Sequence, residues 1–161
     1  MNAYYFFILP ILMFIGCTDE DKKTDQFENV DIAVDISVKN IDLIDLLDPN
    51  TPEGYDFEEI KLFYKNGDEK IEIYDQDLTY PRKLKLIKDE TAYRLRIFAD
   101  ISYEDDQATF FVKWNNIDED TLICRFLKSE NYLAIDKLWF NGASVWDLNV
   151  DGDDRHFSIR K

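Results

Sequence analysis

The chain has 161 residues, of which 34 are Asp or Glu and 19 are Lys or Arg, a formal charge of −15 at pH 7. A surface of that sign is repelled by phosphate backbones and by anionic lipid headgroups, which excludes nucleic acid as a partner and adsorption to an anionic bilayer as a mode of attachment. Apolar residues make up 45% of the sequence, and residues 30–161 suffice for one domain that buries about two-thirds of its unfolded surface.

The first sixteen residues, MNAYYFFILPILMFIG, carry no charge. A bilayer-spanning helix needs about 20 apolar residues, so this shorter run reads as the hydrophobic region of a signal peptide over 1–16. It ends Phe14-Ile15-Gly16-Cys17, which resembles a lipobox, although Phe stands at position 14 where Leu is common and no Lys or Arg precedes the apolar run. The resemblance implies cleavage before Cys17, lipidation of its sulfur and a membrane anchor through the lipid. Thr18-Asp19-Glu20-Asp21-Lys22-Lys23 follows, and this acidic run is similar to the export signal of Bacteroidetes-type surface lipoproteins. It implies an outer-membrane lipoprotein at the cell surface, with the periplasmic face as the alternative location. An ordinary signal peptide or a short uncleaved anchor is the alternative for the segment as a whole. Residues 17–29 lack apolar periodicity and read as a lipidated cysteine and flexible linker, a coil of about 12 residues spanning roughly 20 Å.

From residue 30 onward the apolar pattern has a period of two, as half-buried strands require. Val30, Ile32, Val34, Ile36 and Val38 alternate with polar or small residues, as do Tyr93, Leu95, Ile97, Ala99 and Ile101, and then Ala108, Phe110, Val112 and Trp114. Strands are predicted at 30–38, 59–65, 70–74, 83–87, 92–101, 107–114, 121–127, 132–140, 143–149 and 154–160. Residues 41–47 have mixed spacing that suits a helical turn, and 48–58 read as a long polar loop. Three hairpins are expected at Asx-Gly pairs, which favour two-residue turns. Asn66-Gly67 would set Leu62 against Ile71, Ile60 against Ile73 and Lys61 against Glu72. Asn141-Gly142 would set Leu138 against Val145, and Asp151-Gly152 would set Trp146 against Phe157 and Asp147 against His156. The expected fold is an all-β, antiparallel sandwich of nine or ten strands, immunoglobulin-like or transthyretin-like, with a small β-barrel as the alternative.

No nucleophile elbow, zinc-protease motif, phosphate-binding glycine loop or Cys-x-x-Cys is present, so a non-catalytic protein without a cofactor is expected. With Cys17 taken by lipid, Cys124 stands alone in an apolar alternation with Leu122 and Phe126 and reads as a buried small hydrophobe. Asp147, Asn149, Asp151 and Asp153, with Gly152, match the front of a calcium loop. The pattern then fails, because Ser158 stands where a bidentate Glu belongs, and a plain Asp-Gly hairpin explains the glycine as well. If strands 92–101 and 107–114 pair, Phe98 and Phe111 share one face with Arg94, Arg96 and Lys113. That face would suit a glycan or a protein partner, unless the loop 41–58 covers it. Two function classes follow: a binding or assembly module for a glycan, peptide or envelope protein, or an acidic antagonist (inhibitor or immunity protein) of a cationic envelope-attacking enzyme. A hydrolase built on an unrecognised carboxylate pair is a third.

Overall fold

The computed structural model describes residues 28–90, 92–99 and 106–161. The signal segment, Cys17 and the linker up to residue 27 lie outside them, as does the predicted strand beyond Ala99. Eleven strands are present among the described residues: β1 (Asn29–Asp31), β2 (Ala33–Lys39), β3 (Lys61–Asn66), β4 (Glu69–Glu72), β5 (Leu84–Asp89), β6 (Ala92–Phe98), β7 (Gln107–Lys113), β8 (Glu119–Ser129), β9 (Tyr132–Phe140), β10 (Ala143–Asp147) and β11 (His156–Arg160). One helical turn, α1 (Leu148–Asp151), precedes β11. No helix among these residues is long and apolar enough to cross a membrane.

The strands form two packed sheets, a β-sandwich, and neither sheet closes into a barrel. The larger sheet runs β1-β9-β8-β7-β3-β4, with β10 also on β9; the smaller runs β11-β2-β6-β5. One edge of β9 is shared: β1 pairs with Tyr132–Ala134 in parallel, and β10 pairs antiparallel with 137–140. The period-two pattern decides what faces inward. Phe110, Val112, Trp114, Leu122, Cys124 and Leu138 of the larger sheet are fully buried, and they meet Val34, Ile36, Leu95 and Ile97 of the smaller. Burying each large apolar side chain contributes about 1.5–3 kcal/mol.

Five sequence expectations change. The first strand breaks at Ile32, so β1 lies in the larger sheet and β2 in the smaller; a strand that switches sheets makes a corner of the sandwich. The fold is also not purely antiparallel, since β1 pairs with β9 and β11 with β2 in parallel. The first hairpin turns on Gly67-Asp68, pairing Tyr64 with Ile71 and Phe63 with Glu72. Of those two residues only Gly67 has positive φ, +58°, which suits a type II′ turn rather than I′. The shift is by two residues, so the buried faces are preserved, and Lys61 still reaches Glu72 diagonally at 3.0 Å. At Asn141-Gly142 both residues have positive φ (49° and 82°) as expected, but a bulge at Val145 sets Trp146, not Val145, against Leu138. The third hairpin does not form. Asp147 caps α1, Gly152 ends it at φ +72°, and β11 continues into the other sheet.

The segment between β2 and β3 packs at one end. Residues 41–47 form turns rather than a helix, with Asp45 bridged to Lys39. Leu47 is buried, and Tyr55 and Phe57 lie against the core.

Candidate functional site

Alternation along β6 buries Leu95 and Ile97 and sends Arg94, Arg96 and Phe98 to the outer face of the smaller sheet. Register then builds a row across that face: His156 of β11 lies beside Asp35 of β2, Asp35 beside Arg96, and Arg96 beside Lys85 of β5. Asp35 receives the Arg96 guanidinium in a fork, Nε to Oδ1 at 2.7 Å and Nη2 to Oδ2 at 2.8 Å. Paired donors of this kind fix the guanidinium plane. Arg94 is held in turn by Asp89, Nη2 to Oδ2 at 2.6 Å.

His156 does not meet Asp147. Its Nε2 lies 2.9 Å from Ser37 Oγ, and Asp147 instead bonds Lys137 at 2.8 Å. Burial and the neighbouring Arg94 push the imidazole below its usual pKa, against the opposing pull of Asp154, Asp35 and Asp89, which favours the uncharged ring. A Ser–His contact invites comparison with a hydrolytic pair, but that chemistry needs a carboxylate to orient the second ring nitrogen and an accessible hydroxyl. Both oxygens of Asp35 are bonded to Arg96, and Ser37 is only 6% exposed. The contact acts as a polar brace between β2 and β11.

Five cations, Lys39, Lys85, Arg94, Arg96 and Arg160, stand on this face against two carboxylates, Asp35 and Asp89. Arg160 and Lys39 are direct cross-strand neighbours, an arrangement of like charges that costs stability, and neither makes an ion pair among the described residues. At the other end of the face, Phe98 stacks on Tyr80 with ring centres 5.2 Å apart and planes at 11°, and Lys85 Nζ lies 5.3 Å from the Tyr80 ring centre. Beyond Phe98 opens an apolar groove of about 440 Å³, lined by Val30, Ile32, Leu78, Tyr80 and Lys83 among others.

The patch expected from sequence is therefore divided. Arg94, Arg96 and Phe98 share this face, whereas Phe111 and Lys113 belong to the outer face of the larger sheet, because β6 and β7 lie in different sheets. Phe111 pairs there with Phe63, and Lys70 Nζ sits 4.6 and 4.7 Å from the two ring centres while bonding Glu119. Lys113 lies between Lys61 and Glu119. Within the loop 41–58, Leu46, Leu47, Tyr55 and Phe57 pack on the core, whereas Ile41, Leu43 and Ile44 are exposed. Asp35, Ser37, Tyr80 and Lys85 were not read from sequence as site residues.

Three residues of the calcium pattern, Asp147, Asn149 and Asp151, meet at the helical turn α1. Asp147 accepts the Asn149 amide at 3.1 Å, while Asp151 accepts the Asp147 amide at 2.8 Å, so these side chains close a helical turn. No three His, Cys, Asp or Glu side chains among the described residues converge as a metal site would require. Cys124 is fully buried, and burial pushes its thiol above the usual pKa, the opposite of an activated nucleophile.

Comparison with known proteins adds no family to this geometry: no protein-family model matches the chain, no curated protein matches its sequence, and no solved structure matches its fold.

Proposed function

We propose that this chain is a cell-envelope lipoprotein, anchored through Cys17, whose sandwich is a non-catalytic binding module for an anionic envelope glycan. The observation that carries the reading is the concentration of Lys39, Lys85, Arg94, Arg96 and Arg160 on one sheet face of a chain with a net charge of −15. Carboxylate or phosphate groups would meet oriented guanidinium forks, and the Tyr80–Phe98 stack offers an aromatic edge to a sugar ring. Asp89 engages only Nη2 of Arg94, and Asp35 only Nε and Nη2 of Arg96, which leaves Nη1 of each outside these clamps.

The test is calorimetric titration with a uronate-containing polysaccharide and its neutral counterpart. Binding of the charged polymer alone, weakened by Arg94→Gln, supports the reading; equal binding of both, or of neither, overturns it. The anchor is tested separately: Cys17→Ser should release the protein from membranes, and retention of a processed Cys17→Ser protein refutes the assignment.

A second reading, the acidic antagonist, draws on a specific feature. Between Asn40 and Ile60 the chain carries seven carboxylates and no Lys or Arg, around a cleft of about 500 Å³ with Leu47, Tyr55, Phe57 and Leu86 in its lining. Salt separates the two. Association with a cationic enzyme slows as salt rises, because the net charge attracts it. Association with an anionic glycan quickens, because the net charge repels at long range and only the local face attracts.

A further inference from the structure

We infer that the tip Ile41–Ile44 of one copy seats in the groove beside Phe98 of a second copy, so that the protein self-associates through a knob-to-groove contact. The tip is an unusual surface feature. Ile41, Leu43 and Ile44 are 76%, 58% and 49% exposed, three large aliphatic side chains within four residues of a highly charged protein. Leu43 has φ +65°, a left-handed conformation that favours glycine and strains a side chain bearing a Cβ. A position whose backbone suits glycine thus carries a leucine, and that leucine points at solvent.

The tip is also rigid. Asn40 clasps it three ways: its amide donates to Ile44 O at 3.0 Å, its carbonyl accepts from Leu43 N at 3.1 Å, and its Oδ1 accepts from Ile44 N at 2.9 Å. A knob fixed in advance loses little conformational freedom on docking.

The groove supplies the complement. Val30 and Leu78 at its wall are 51% and 40% exposed, and its lining is apolar apart from Lys83 and Thr79. Charge favours the contact: Asp42 sits within the tip, while Lys85 stands beside the groove over Tyr80. The two features occupy opposite ends of one strand. Ile32 lines the groove just before β2 and Asn40 opens the tip just after it, a separation of roughly 26 Å at about 3.3 Å per residue. A tip therefore cannot fill the groove of its own chain. Between copies the contact joins two different surfaces and is heterologous, so each occupied groove leaves a further tip unpaired unless the assembly closes.

Sedimentation velocity of the purified full chain over a range of concentrations tests this. A sedimentation coefficient that rises with concentration is expected. Leu43→Gly removes the knob and relieves the backbone, so it should fold and weaken association by about thirtyfold, the effect of losing one interface anchor. Leu78→Asp should do the same from the groove side. Mixing the two variants should restore association, since one keeps a groove and the other a tip. A wild-type chain that stays monomeric, variants that associate like wild type, or a mixture that does not associate would each overturn the inference. Leu43 is not one of the residues of the cationic face, so Leu43→Gly should bind the anionic glycan as wild type does, and loss of glycan binding alone would leave self-association standing.

Discussion

Replacing Arg96 by Met keeps the aliphatic stem on β6 and removes the guanidinium. Asp35 is then left 7% exposed, with its only side-chain partner among the described residues gone. Breaking a fully buried pair in this way costs about 3–5 kcal/mol. The Arg96 side chain, however, is 37% exposed, so solvent screens part of the interaction, and a loss of about 2–3 kcal/mol is expected. For a domain of this size that corresponds to a fall in Tm of roughly 10 °C. The penalty belongs to the stranded carboxylate and not to the absent cation, so Asp35→Leu in the Arg96→Met background should recover most of it. Urea unfolding of the wild type, both single variants and the double variant gives the coupling energy directly. A destabilisation by Arg96→Met below about 0.5 kcal/mol, or a double variant no more stable than Arg96→Met, would refute the view that the fork is what holds Asp35 in place.

Two further outcomes follow from buried groups elsewhere. Asp120, 6% exposed, accepts Trp114 Nε1 at 2.6 Å and Asn141 Nδ2 at 2.7 Å and pairs with Lys161. Although burial by itself raises its pKa, these donors hold the carboxyl below the usual 3.8. A depressed folded pKa contributes stability that is present above the unfolded value and lost as pH falls through the folded one. Asp120→Asn should therefore cost about 2 kcal/mol at pH 7 and progressively less below pH 4 in acid titrations of unfolding, and a penalty independent of pH would count against the ionic role. Cys124 is sealed in the core, so a thiol reagent should label it in the native protein only at the rate of global unfolding; rapid labelling at neutral pH would show that the β7–β8–β9 core opens.

The strands were legible in the sequence because each buries one face, and alternation such as Ala108-Phe110-Val112-Trp114 announces that directly. Which sheet a strand joins was not. Alternation states that Leu95 and Ile97 point inward, but the inward face of either sheet looks the same from the sequence, and consecutive strands β6 and β7 fall on opposite sides of the core. The Phe98–Phe111 patch failed for that reason alone. The turns divide along a similar line. At Asn141 both residues could take positive φ and the turn formed as expected. At Asp151-Gly152 a similar dipeptide ends a helical turn, because a glycine that permits positive φ serves a helix C-terminus as well as a hairpin. The parallel pairing of β11 with β2 joins segments more than a hundred residues apart, and no local pattern specifies it.

The site was half legible for a related physical reason. A net charge is a sum over the whole surface, and −15 weighed against anionic partners, whereas binding responds to the field over one patch. Arg94 and Arg96 were visible as an alternating pair on one strand. What gives them meaning is the company supplied by other strands. Lys85 comes from β5, Lys39 from β2 and Arg160 from β11, and each of these is unremarkable in its own stretch of sequence. Like charges set side by side lower stability, so a sequence with 34 acidic residues to place had ready means of neutralising Lys39 and Arg160. Among the described residues, Lys39 and Arg160 have no carboxylate partner, while Arg94 and Arg96 are clamped into fixed orientations by Asp89 and Asp35; the proposal of an anionic ligand rests on that contrast.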